Sequence, residues 1–170
     1  MKKFFLVFLL GINFCFSQEK DIFTIVRNGT VQEIMDLHKK NPETVNLKNE
    51  NGFTPLILAC YKGNIDVVNF LIKNSNTINT SSEMGTALMA ATVRGNVQIV
   101  TMLLENAANP NLTDEKGTTA LMYAIQFKNV KNVALLLQYK ADKLLKDIDG
   151  KTAFEFAVFS KNEEIINLLK

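Results

Sequence analysis

Four copies of one short segment decide what this chain can become. "GFTPLILACYKGN" begins at Gly52, "GTALMAATVRGN" at Gly85, "GTTALMYAIQFKN" at Gly117 and "GKTAFEFAVFSKN" at Gly150. Aligned on their threonines, Thr54, Thr86, Thr119 and Thr152 stand 32, 33 and 33 residues apart. Nine residues after each threonine comes a turn pair: Gly63-Asn64, Gly95-Asn96, Lys128-Asn129 and Lys161-Asn162. A second apolar run follows, "DVVNFLI", "IVTMLL", "VALLLQ" or "IINLLK". Self-similarity at a fixed period of this size marks a stacked-repeat architecture. Each unit reads as helix, tight turn, helix and polar loop, which makes the chain all-α. One unit alone cannot hide its apolar face, and stacking neighbours gives all of them a continuous core.

The residue types inside a unit follow from helix chemistry. A threonine ahead of the first helix caps free amide groups with its hydroxyl. Pro55 suits the first helical turn, where a missing N–H costs nothing. Leu56, Ala59 and Cys60 share one face at helical spacing. Ala59, Ala90, Ala124 and Ala157 are expected to form one row of small residues that lets neighbouring helices approach closely. Gly63 and Gly95 permit the left-handed conformation that ends a helix. Lys128 and Lys161 take that place later, where the same conformation would strain a lysine by about 1–2 kcal/mol. The expectation is that the following Asn adopts it instead.

These motifs resemble the ankyrin repeat, a family pattern of about 33 residues centred on G-x-T-P-L-H-L-A-A, then G-H, a Val/Leu-rich helix and G-A-D-x-N. The resemblance covers roughly residues 20 to 170. "ENAANPNLTDEKGTTAL" (105–121) matches through loop and hairpin; "YKADKLLKDIDGKTAF" (139–154) has Leu144 where Asn is usual. It implies a solenoid of helix-turn-helix units with hairpin loops: a degenerate first unit at about 20–49, with its turn at Asn28-Gly29, then 50–81, 82–114, 115–147 and a C-terminal capping unit at 148–170. Glu163, Glu164 and Asn167 are expected to give the last helix a polar outer face. The family's His after T-P-L is replaced by Ile57, Met89, Met122 and Glu155, so apolar packing is expected in place of a Thr–His network. One residue is missing just after Gly85, which should draw that hairpin tip in.

Residues 1–17 read as a signal peptide, with 18–170 the mature domain. Lys2 and Lys3 precede an apolar run from Phe4 to Phe16, and small residues at Cys15 and Ser17 place the cut before Gln18. An uncleaved anchor is the alternative; the run falls short of the roughly 20 apolar residues that span a bilayer. A lipid-modified Cys15 is disfavoured by bulky Phe14. The leader looks bacterial, so the expected location is exported, in the periplasm or outside the cell. Cleavage takes basic residues from 19 to 17, against 17 acidic. A formally neutral body exerts little long-range pull on nucleic acid. Only Cys60 then remains, so the domain holds by packing and no intramolecular disulfide forms.

The sequence offers no poised chemistry. His38 is the only histidine and is expected to be solvent-exposed at a helix end. Cys60 reads as a small core residue. No Cys, His or acid cluster has metal-ligand spacing, and there is no phosphate-binding glycine cluster. Met89 and Met122 share one repeat position and read as core, as does Met102; Met84 lies in a hairpin. No catalytic residue, cofactor or metal is therefore expected, and the chain is not read as an enzyme.

What remains is a binding surface. The resemblance implies that partners are held by hairpin tips and by the concave side of the first helices. Carried over position by position, the tips supply Glu50, Asn51 and Phe53, then Glu83 and Met84, then Glu115, Lys116 and Thr118, then Ile148, Asp149 and Lys151. The first helices supply Tyr61 and Lys62, Val93 and Arg94, Gln126 and Phe127, Phe159 and Ser160. Phe53, Tyr61, Met84, Val93, Phe127 and Phe159 are apolar where a bare scaffold would carry solvated residues, and aromatics beside Lys and Arg are favoured at protein interfaces. The expectation is a monomeric, non-enzymatic module that binds another protein and no nucleic acid, touching a membrane only through the leader. A secreted effector or an immunity- or inhibitor-type protein is the alternative role; a groove-based enzyme or small-ligand binder ranks below both.

Overall fold

The computed structural model describes residues 20–170, so the leader and its cleavage site lie outside the described residues. Helices come in antiparallel pairs: α1 (Ile22–Asn28) with α2 (Val31–Lys40), α3 (Pro55–Lys62) with α4 (Ile65–Asn74), α5 (Ala87–Val93) with α6 (Val97–Glu105), α7 (Ala120–Gln126) with α8 (Val130–Gln138), and α9 (Ala153–Ser160) with α10 (Glu163–Leu169). The odd-numbered helices pack along one row, α1 on α3, α3 on α5, α5 on α7 and α7 on α9. The even-numbered helices form a second row beside them. In the first unit the chain turns at Gly29 between α1 and α2, and a 3₁₀ helix at Pro42–Asn46 follows α2.

Both helices of each unit are started by side chains. The Oγ1 atoms of Thr54, Thr86 and Thr119 accept from the N–H groups of Ile57, Met89 and Met122 at 3.2, 3.4 and 3.3 Å. Ile57, Met89 and Met122 are themselves buried, so apolar packing does replace a Thr–His network in these units. In the last unit Glu155 reaches back to the Thr152 N–H and hydroxyl. The second helices start on Asn64, Asn96, Asn129 and Asn162, whose Oδ1 atoms accept from the third residue of each helix at 3.0–3.2 Å.

That second set of caps corrects one expectation. Lys128 and Lys161 carry the positive φ, both at 54°, and the asparagines after them do not. An N-cap residue must be extended for its side chain to meet the helix amides. The asparagine is committed to that task, so the left-handed turn falls to the residue before it, glycine in two units and lysine in two. Ala107 and Lys140, in the loops after α6 and α8, also adopt positive φ.

The alanine row also needs correcting. The fully buried member of the third unit is Ala91, five residues past Thr86 like Ala59, Ala124 and Ala157; Ala90 is half-buried. The core runs without a break from Ile22 to Leu169 through the inward faces of both helix rows. One buried position breaks the apolar rule. Thirteen residues past each threonine stand Val67, Ile99, Asn132 and Ile165, all at 0% exposure. Among the described residues, neither side-chain polar atom of Asn132 has a hydrogen-bond partner.

Loops are tied across units by asparagines. Asn46, Asn79 and Asn111 accept from the backbone N–H groups of Asn76, Asn109 and Asp142 at 3.1, 2.8 and 2.7 Å. Leu144 holds the next place in this series and is exposed. The last unit meets the capping expectation only in part. Glu163, Glu164 and Asn167 are exposed, but so are Phe154 and Val158, whose counterparts in earlier units are buried, and Leu168.

Candidate protein-binding surface

Each hairpin tip is built round one acceptor side chain. Asn49 Oδ1 accepts from Asn51 N–H and Phe53 N–H at 3.1 and 2.9 Å. Asp114 Oδ1 accepts from Lys116 N–H and Thr118 N–H at 2.9 and 2.8 Å, and Asp147 Oδ1 from Asp149 N–H and Lys151 N–H at 3.0 and 2.8 Å. The third unit, one residue short, uses Ser82 and closes a two-residue turn between β1 (Ser81–Ser82) and β2 (Gly85–Thr86). The tips also lean on each other. Ile148 N–H donates to Lys116 O at 2.9 Å, and a Cβ on Gly117 (φ +71°) would stand 3.0 Å from Asp147 Cα.

Between the tips and the odd-numbered helices lies a hollow of about 490 Å³. It is lined by Phe53, Ile57, Leu58 and Tyr61 of the second unit, Glu83, Met84, Met89, Ala90 and Val93 of the third, and Asp114, Glu115, Lys116, Tyr123 and Phe127 of the fourth. Tyr61, Met84 and Phe127 are 47%, 68% and 53% exposed, large apolar surface left in water beside one another. Arg94 sits over the Tyr61 ring at 5.3 Å from its centre.

Two features deepen the hollow at the third unit. Four residues past each threonine stand Leu58, Ala90, Tyr123 and Phe156, so the third unit alone contributes a methyl group to that row. The same unit lacks the tip residue that is Phe53 in the second unit and Thr118 in the fourth. Tyr123 is held upright by its hydroxyl, which donates to Asp114 Oδ2 at 2.6 Å. Burial, and then this bond to an anionic acceptor, push the Tyr123 phenol up to about 12.

Most of the expected surface residues fall into four groups; Arg94 lies over Tyr61. Phe53, Tyr61, Glu83, Met84, Val93, Glu115, Lys116 and Phe127 meet in the hollow. Glu50 and Asn51 lie across the tips, in a polar groove they share with Glu83 and Glu115. Gln126, Asp149, Lys151, Ile148, Phe159 and Ser160 surround shallower hollows near Phe156, where Lys151 pairs with Asp149 at 3.1 Å and lies over Phe159. Lys62 is exposed in the last turn of α3.

Burial limits what two of these residues offer a partner. Thr118 is only 7% exposed and serves the hairpin through its N–H, so it offers a partner little. Phe53 is half-buried against the core and is partly structural. Leu58 and Tyr123 were not among the expected surface residues, and Ala90 was expected in the small-residue row instead. Their signal was available, since a position four past the threonine shares a helix face with the positions seven and eight past it.

Cys60 is fully buried, and desolvation pushes its thiol well above the usual range. His38 is partly exposed in the last turn of α2, edge-on to Phe70 with ring centres 5.5 Å apart, and its Nδ1 lies 3.2 Å from Pro42 O. Among the described residues, no group of three His, Cys, Asp or Glu side chains could hold a metal ion, and no helix is long and apolar enough to cross a membrane.

Comparison with known families settles the fold's relationship. A family model described as "Ankyrin repeats (3 copies)" matches residues 22–114 and 106–170. The chain belongs to the ankyrin-repeat family. A 71-residue stretch is 36% identical to the rat (Rattus norvegicus) protein "Ankyrin repeat and SAM domain-containing protein 6", covering 41% of this chain and 8% of that protein. Ankyrin repeats are generally protein–protein interaction modules, and the family is typically a non-enzymatic scaffold.

Proposed function

We propose that this chain is an exported, non-enzymatic module that binds a partner protein in the hollow between its hairpin tips and its odd-numbered helices. The observation that carries the reading is the cluster of Tyr61, Met84 and Phe127, large apolar side chains about half exposed or more, round one 490 Å³ depression. Aromatic and methionine side chains with an arginine beside them make up the energetic centre of many protein interfaces. Membership of a family of interaction modules supports the same role. Export, to the periplasm or beyond, rests on the leader's two lysines and apolar run.

A photo-crosslinking residue at Met84 tests the binding role in the source cell. It should capture one discrete protein species, and the same residue at exposed Asn69 on α4 should not. Equal capture at both positions, or at neither, would refute the role. Intact-mass measurement of the purified native protein tests export: an N-terminus at Gln18 is expected, and a retained Met1 would refute cleavage.

A further inference from the structure

Resting on that reading, we infer that the hollow takes a partner segment with one large apolar side chain, seated over Ala90, and with lysine or arginine beside it. The floor fixes the anchor. Ala90 contributes a single methyl between Leu58 and Tyr123, over buried Ile57 and Met89. An aromatic or leucine side chain fills such a depression and removes Tyr61, Met84 and Phe127 from water, which is the usual arrangement of an interface hot spot.

The rim fixes the charge. Glu50, Glu83 and Glu115 occupy equivalent places in three successive tips, and all three line one groove across those tips. None of the three carboxylates makes a hydrogen bond or ion pair within the described residues. Asp114 adds a further negative charge, and among the described residues Lys116 is the one opposing cation that lines either space. On the opposite edge, Arg94 lies against Tyr61, so basic residues of a partner are drawn to the tip side. An acidic edge beside an apolar depression selects a hydrophobic anchor with basic neighbours and repels an acidic segment of the same shape.

The test uses two fluorescent, capped heptapeptides with Phe-Leu at the centre, one flanked by lysines and its twin by glutamates, titrated against the whole chain at low salt. The lysine peptide should bind about tenfold tighter, the size expected of two or three exposed ion pairs, and the preference should shrink as salt screens it. Ala90→Phe should abolish binding of both peptides while the circular-dichroism melt stays unchanged. E83K/E115K should reverse the charge preference and, as a surface change, keeps the test valid if Ala90→Phe unfolds. Equal binding of the twins, preference for glutamate, or no binding of either would overturn the inference. Capture from Met84 would still stand in those cases, so the two readings fail separately.

Discussion

Replacing Asn132 by leucine should stabilise this protein. Asn132 lies in α8 at a position filled by Val67, Ile99 and Ile165 in the other units, and it is fully buried. Its backbone N–H is satisfied by Asn129 Oδ1 at 3.0 Å, but both side-chain polar atoms are unpartnered. A buried polar group left unsatisfied costs about 1–3 kcal/mol. Leucine branches at the same carbon and puts a methyl where each amide atom stands, so the site needs little repacking. It also gains a few tenths of a kcal/mol, roughly, in helix propensity. The expected gain is about 1–3 kcal/mol, which for a chain of this size raises Tm by about 2–4 °C per kcal/mol. Urea unfolding followed by circular dichroism reads it directly: the midpoint should rise with the slope unchanged. Asn132→Ala should gain less, because it removes the amide and leaves a void. A midpoint that falls in Asn132→Leu at constant slope refutes the reasoning, since the amide must then be making bonds worth more than the apolar contacts that replaced them.

Three further outcomes follow from the packing and the titrating groups. Ala91→Leu should overpack the odd-numbered row and lower stability by about 1–3 kcal/mol, whereas enlarging half-buried Ala90 should not; equal effects in urea melts would sink the assignment of Ala91 to the core row. Glu33 and Glu155 each accept hydrogen bonds from the threonine at the start of their helix, and these bonds hold both carboxyls below the usual value. A folded-state value below the unfolded one means that this stability is complete above the unfolded value and drains away as pH falls through the folded one. Melts from pH 7 to 3 should therefore show a shallower loss in E33Q/E155Q than in the native sequence, and parallel curves would argue against the two caps. Cys60, buried and with a thiol held protonated, should react with a disulfide reagent only through unfolding; prompt labelling of folded protein would place it at a surface.

The sequence by itself determined the architecture. Threonines at a fixed spacing, the apolar runs after them and the turn pairs between them fix where each helix starts and stops, because capping and amphipathic spacing are local properties of the chain. The units, their order and the buried place of Cys60 were all legible in this way. Only the tertiary structure decided which residue takes each local turn and which contacts join one unit to the next. The left-handed turn went to Lys128 and Lys161 because the asparagine after each is spent on capping the next helix. The asparagine ties between loops join residues 30 or 31 positions apart, a relation no local pattern encodes. Thr118 proved to be buried, its N–H tied to Asp114 Oδ1. The hollow exists because Leu58, Ala90 and Tyr123 stand side by side on three different helices, so that one small residue between two large ones becomes a space. Depth at a surface is a difference between neighbours, and neighbours are assigned only when the units stack.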